Sequence, residues 1–378
     1  MASQFFELIP QISEWFFSFG YAVYGMILVL GVLIFIHELG HYLVAKLLGI
    51  GVTTFSLGFG RKIWGFQRGE TEYKLSTLPL GGYVKLVGED PEASEEDPDE
   101  PAGPEDPEKS FYLRPVHQRM AVIFAGPLFN ILFALVLSWI LHMVGIPVPG
   151  TWVGEVMPKT PAQTAGLRAD DRIIAVGGQS VRKWTELVEI IRKNTNKQIT
   201  LKIERGGRTL ELPITPTSKT AKGKDIGYGR IGIRMSERVY KERYGPIDSA
   251  YQSLRRNYYI IRLTVATLYG MVARTVPADI GGPIRIAGFA GEQAKRGLAY
   301  IVGLSILLSL NLAILNLLPI PILDGGHLVF LVLEGLRGKP VSLRFRDMSA
   351  QVGIVLLIGV MLFATYKDSM YYFVKWTQ

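Results

Sequence analysis

Long apolar runs constrain this chain more than any other feature. Three are long enough to cross a bilayer, which takes about 20 residues: residues 21–44, 120–146 and 298–322. A fourth, QVGIVLLIGVMLFATY at 351–366, is shorter but free of charge. A fifth candidate, NYYIIRLTVATLYGMVA at 257–273, carries Arg262 near its middle and follows Arg255 and Arg256. A central arginine costs about 3 kcal/mol on insertion scales, so this segment is expected to lie at the interface as an amphipathic helix. The fold expected is a polytopic α-helical membrane protein with four transmembrane helices.

Short loops set the direction. Residues 1–20 contain no Lys or Arg, whereas GLRGKPVSLRFRD (335–347) contains Arg337, Lys339, Arg344 and Arg346. The positive-inside rule puts that loop in the cytoplasm. Four spans then place both termini and residues 147–297 outside, and 45–119 inside. MASQFFELIPQISEW has no basic stretch and carries Glu7 and Glu14, so the first apolar segment is expected to be retained rather than cleaved.

Charge is unevenly spread. The formal net charge is +8, yet residues 89–108 hold 11 acids and no base, which leaves 8 + 11 = +19 on the remainder. In a chain that is 48% hydrophobic, that excess fits an anionic membrane surface better than nucleic acid. The acidic stretch is Pro-rich without an aromatic residue and reads as a disordered cytoplasmic loop. Residues 52–88 read as β: RKIWGFQR, a Gly69 turn and TEYKLST form a hairpin, followed by PLGGYV. It begins just after the first span. Its exposed edge could pair with an extended peptide or be purely structural.

Inside the first run stands HELGH, His37 to His41. Positions four apart share a helix face, so both imidazoles can bind one zinc ion. Glu38 is close enough to act as general base without being a ligand. Three ionisable groups in an apolar span are functional by default. A catalytic zinc wants a third protein ligand and an open position. The chain has no cysteine. His142 falls at the outer end of the second span. NLLPIPILDGGHL (316–328) ends the third span at the depth of HELGH and offers Asp324, the preferred ligand, and His327, the runner-up. FAGPLFN in the second span contributes Gly126 and Pro127, which suggest a kink or close helix approach. Its Asn130 is read either as a substrate or oxyanion contact or as a helix-packing residue. Asn311 and Asn316 raise the same question in the third span.

Residues 150–217 alternate short strands with one helix at 184–193. PAQTAGLRADDRIIAVGGQSV and WTELVEIIRK resemble the PDZ signature and the helix beside a PDZ groove. That resemblance implies peptide capture by strand addition. It places the carboxylate-binding loop at TWVGEV, with Trp152, Val153 and Gly154 nearest the groove. Residues 218–229 read as a flexible connector.

HELGH, FAGPLFN, the PDZ-like unit and NLLPIPILDGG, in that order, make the chain similar to the site-2 protease family of intramembrane zinc metalloproteases. The similarity is close to the bacterial branch that cleaves membrane-bound anti-sigma factors. It implies His37, His41 and Asp324 as Zn2+ ligands, Glu38 as base, and Asn311 and Asn316 as substrate holders. It implies a β region that pairs with unwound single-span substrates, whether anti-sigma factors or remnant signal peptides, in the bacterial inner membrane. The chain departs from Gram-negative relatives, which usually carry two tandem PDZ domains, in having room for one. Two rival readings are a metal transporter and a catalytically silent PDZ scaffold. The organisation expected is the N-terminus and first span (1–50), β region (51–88), acidic loop (89–119), second span (120–147), PDZ unit (150–217), linker and amphipathic region (218–297), third span with LDGG (298–334), and basic loop with fourth span (335–378).

Overall fold

The computed structural model describes residues 29–89, 107–219, 225–276 and 281–377. The start of the first expected span, 21–28, most of the acidic loop, 90–106, and residues 220–224 of the expected connector lie outside the described residues. The chain divides into two compact units, Met1–Met143 with Gly245–Gln378, and Val144–Tyr244.

The first unit begins with α1 (Val29–Leu47), which buries Val29 and Leu33 and leaves Leu47 exposed. β1 (Val52–Arg68) and β2 (Thr71–Leu86) follow. They do not make the simple hairpin the sequence suggests. Residues 52–57 of β1 pair on one side with 82–86 and on the other with 72–75 of β2, while 62–68 pair with 71–76. Two long strands thus fold over into four rungs, with 54–57 running parallel to 72–75 and the other pairs antiparallel, bent where Gly58 adopts φ 91°, a conformation closed to most side chains. Next comes α2 (Val116–Val144). It is apolar all round, so its buried side is marked by size. Val122, Gly126, Asn130, Ala134, Ser138 and His142 are buried at intervals of four, while Phe124, Leu132, Val136 and Ile140 are exposed. Small residues along one stripe let helices approach closely where there is no water to drive packing.

The second unit runs β3 (Ile146–Pro149), β4 (Val153–Val156), α3 (Pro161–Thr164), β5 (Arg172–Val176), β6 (Gln179–Ser180), α4 (Trp184–Lys193), β7 (Ile199–Arg205), β8 (Arg208–Ile214), β9 (Thr217–Lys219), β10 (Asp225–Arg230), β11 (Ile233–Met235) and β12 (Val239–Glu242). Its sheet order is β6-β5-β7-β8, with β3–β12, β4–β11 and β9–β10 as separate pairs. Val153, Ile173, Val176, Leu187, Leu201 and Ile203 form the core. The unit reaches beyond residue 217 because β11 and β12 return to pair with β4 and β3. The described parts of the expected connector, 218–219 and 225–229, are strand rather than loop. TWVGEV is also corrected. β4 is bonded to β11 on one side. On the other, Val153 N–H donates to Asp171 O and Asp170 N–H to Val153 O. Trp152, Val153 and Gly154 offer no free edge to a peptide.

The first unit resumes with α5 (Pro246–Val272), α6 (Pro283–Arg296), α7 (Leu298–Asn316), α8 (Asp324–Arg337) and α9 (Leu343–Thr377). α5 packs onto its neighbours: Ser253 Oγ donates to Leu135 O at 2.9 Å, and Thr264 Oγ1 to Asn311 Oδ1 at 2.9 Å. Four helices among the described residues are long and apolar enough to cross a membrane: Val29–Leu47, Val116–Val144, Leu298–Asn316 and Arg344–Met370. α5, with Arg255, Arg256 and Arg262, is not among them. The third expected span ended at 322, but α7 stops at Asn316. Pro319 and Pro321 cannot donate helical hydrogen bonds, and the chain turns before α8 opens at Asp324.

Candidate metal centre

One turn of α1 supplies His37 and His41. Their rings meet edge to face with centroids 4.8 Å apart, and their Nε2 atoms lie 3.2 Å apart. The break after α7 supplies the third group. Asp324 is the first residue of α8, where the positive end of the helix favours a carboxylate. Its Oδ2 lies 3.1 Å from His37 Nε2 and its Oδ1 3.7 Å from His41 Nε2. The ligand atoms of His37, His41 and Asp324 all fall within 4.8 Å of one another.

Three observations bear on whether a cation fits. The donor set, two imidazoles and a carboxylate, is one that zinc takes. Asp324 Oδ2 is buried yet, among the described residues, accepts no well-aligned hydrogen bond, a cost unless something positive faces it. Behind the ring of His41, Nδ1–H donates to Val122 O at 2.8 Å, which leaves Nε2 as the lone-pair nitrogen aimed into the cluster. The residues fit the ion.

Two glycines make the room. A Cβ on Gly126 of α2 would sit 2.3 Å from His41 Nε2 and 2.8 Å from His37 Cε1, so only glycine lets α2 lie against the histidines. A Cβ on Gly82 of β2 would sit 3.0 Å from Glu38 Cγ. That places the last rung of the β region directly over Glu38. The sequence marks both motifs, FAGPLFN and PLGGYV, but not what either glycine faces. It also gives no sign of the brace from Arg119, at the start of α2, to Glu334 of α8. Arg119 donates to both carboxylate oxygens, one at 3.2 Å.

The asparagines separate. Asn316 Nδ2 lies 3.2 Å from His37 Nε2, at the cluster. Asn130 Nδ2 lies 3.3 Å from His37 Nδ1, behind the ring. Asn311 is outside the cluster, its Oδ1 taken by Thr264. His142 is 16 residues along α2 from Gly126, about 24 Å at 1.5 Å per residue, and donates from Nδ1 to Ser138 O. His327 lines a small cavity with Arg119, Glu334 and Arg346 rather than joining the cluster.

Comparison with known proteins follows the same lines. Residues 25–360 match the profile described as Peptidase family M50. A Brucella suis protein named as a candidate zinc metalloprotease is 35% identical over 356 residues, which covers 90% of this chain and 93% of that protein. The regulator of sigma-E protease RseP of Salmonella typhimurium is 32% identical over 445 residues, covering 91% of this chain and 97% of that protein. The Escherichia coli RseP is 31% identical over 454, covering 93% and 99%. The last two alignments are longer than the 378 residues of this chain, so both proteins carry residues with no counterpart here. The solved PDZ domain of an SdrC-like protein from Listeria innocua aligns with 24% of this chain and 96% of that domain, at 28% identity and a TM-score of 0.20. With a family match from residue 25 to 360 and relatives aligned over nine-tenths of its length, the chain belongs to peptidase family M50.

Proposed function

We propose that this zinc metalloprotease cuts peptide bonds within the membrane, with His37, His41 and Asp324 as zinc ligands and Glu38 as general base. The observation that carries the assignment is the convergence of two α1 imidazoles on the first carboxylate of α8, within 4.8 Å. Zinc held there supplies Lewis-acid polarisation of water and of the scissile carbonyl. The Glu38 carboxylate accepts the proton of the attacking water and returns it to the leaving amide nitrogen. Asn316, beside His37 Nε2, donates from its amide to the substrate carbonyl oxygen. Substrate is a single-span membrane segment that must unwind, because helical carbonyls are already hydrogen-bonded. The 82–86 rung passes over Glu38, and among the described residues no strand pairs with its outer edge. Adding there as a strand replaces the hydrogen bonds that unwinding breaks.

The protein sits in a bacterial inner membrane with both termini and the PDZ-like unit outside, the direction set by the basic 335–347 loop. Its reaction is a step of regulated intramembrane proteolysis, with anti-sigma factors or remnant signal peptides as the substrate class. A peptide docking on the PDZ-like unit uses β11, since β4 is paired with β11 on one edge and held at Val153 on the other. Co-expression of candidate single-span substrates with wild type and Glu38→Gln tests the reading. A truncated product with wild type alone is expected, with zinc content unchanged. Equal cleavage by the variant would sink the general-base role.

A further inference from the structure

The two histidines differ in what stands behind them. His41 Nδ1–H donates to a main-chain carbonyl, Val122 O. His37 Nδ1 instead faces Nδ2 of Asn130 at 3.3 Å. Asn130 is fully buried, and among the described residues its Oδ1 has no hydrogen-bond partner. The other nitrogen of His37, Nε2, points into the cluster, 3.1 Å from Asp324 Oδ2 and 3.2 Å from His41 Nε2. A neutral imidazole that commits Nε2 to a metal carries its proton on Nδ1. A ring N–H cannot bond an amide NH2, because both are donors. A half-turn of the Asn130 amide exchanges its two ends with almost no change of shape. Oδ1 then accepts from His37 Nδ1–H, and the buried oxygen gains the partner it otherwise lacks.

We infer that Asn130 is a positioning residue: through Oδ1 it fixes the Nδ1–H tautomer and orientation of His37, and it is not a substrate contact. This rests on the reading of His37 as a zinc ligand. The placement is rigid, since the main-chain oxygen of Asn130 also accepts from Ser309 Oγ of α7 at 2.7 Å. The two ligand histidines thus have matched acceptors behind them, one from main chain and one from a side chain. Only the second can be changed by mutation. Partners of this kind are typically worth 10–100-fold in metal affinity.

The test is zinc affinity of the full chain in detergent, measured against a graded zinc chelator, for wild type, Asn130→Asp, Asn130→Leu and His37→Ala. Asp keeps an acceptor at the position but loses the amide donor; Leu keeps the volume and loses both. The expected result is a loss of about 10–100-fold for Asn130→Leu, with affinity and cleavage retained by Asn130→Asp. Wild-type affinity in a folded Asn130→Leu overturns the inference. So does an Asn130→Asp that binds zinc normally but no longer cleaves, the signature of a substrate-facing amide. Thermal unfolding in chelator reports whether each variant folds. Should Asn130→Leu fail to fold, 15N NMR of histidine-labelled, zinc-loaded wild type decides: a protonated His37 Nδ1 supports the inference and an unprotonated one overturns it. Zinc retained by His37→Ala would mark failure of the ligand assignment itself rather than of the Asn130 role.

Discussion

Two aspartates, one in each unit, are treated in opposite ways. Asp171 of the PDZ-like unit is 1% exposed and fully answered by its own chain. Arg205 grips it with two bonds, Nε to Oδ1 at 2.6 Å and Nη2 to Oδ2 at 2.7 Å, and Arg168 N–H adds a third at 2.8 Å. Among the described residues, Asp324 of the helical unit has no arginine or lysine on it; it faces two imidazole nitrogens and keeps one oxygen without a donor. A carboxylate that only holds a fold carries its counter-charge in the sequence. One left facing other lone pairs calls for a cation from outside.

Variants can break that contrast from either side. The largest effect is expected from Gly126→Leu. Its side chain occupies the space of both imidazoles, so zinc binding and cleavage should both vanish. Zinc bound at wild-type affinity would show that α2 need not touch the histidines. Arg205→Ala should come next, destabilising the Val144–Tyr244 unit by about 3–5 kcal/mol because it strands a buried charge. Calorimetry should show that loss with zinc content unchanged; a fall in zinc content would mean that the two aspartates are not independent.

The smallest effect concerns Glu70 in the β region. Its hydrogen bond from Lys46, helped by Lys109, holds its carboxyl below the usual range against the opposing effect of burial. The folded pKa is depressed, so the stabilisation is present above the unfolded value near 4.5 and is lost as pH falls through the folded value. For a partly exposed cluster this amounts to about 0.2–1 kcal/mol. Glu70→Gln should therefore flatten the acid limb of the stability curve below that value and change little at pH 7. An unchanged acid limb would remove Glu70 from the account.

The helical side of this comparison was the more legible in sequence. HELGH declares its shared face through spacing alone, and four apolar runs appear in the structure as four long apolar helices. Asp324 could be reached because proline and charge placement put it at the depth of HELGH. What spacing could not supply was non-local. Gly126 and Gly82 are visible as glycines, but their meaning lies in the side chains they leave room for. The PDZ resemblance puts the carboxylate-binding loop at TWVGEV, but Ile233–Met235 returns from far along the chain to pair with one edge of that stretch, and Asp170 and Asp171 hold the other at Val153. The doubled β1–β2 pairing likewise depends on a bend within each strand. Asn130 was legible as a buried polar group needing a partner, but which partner it has is fixed only by how α1 lies on α2.

The most direct measurement is zinc content of the purified full chain for wild type, Glu38→Gln and Asp324→Ala. About one zinc per chain is expected in the first two and almost none in the third, as befits a site with three protein ligands. Wild-type zinc content in Asp324→Ala would contradict it.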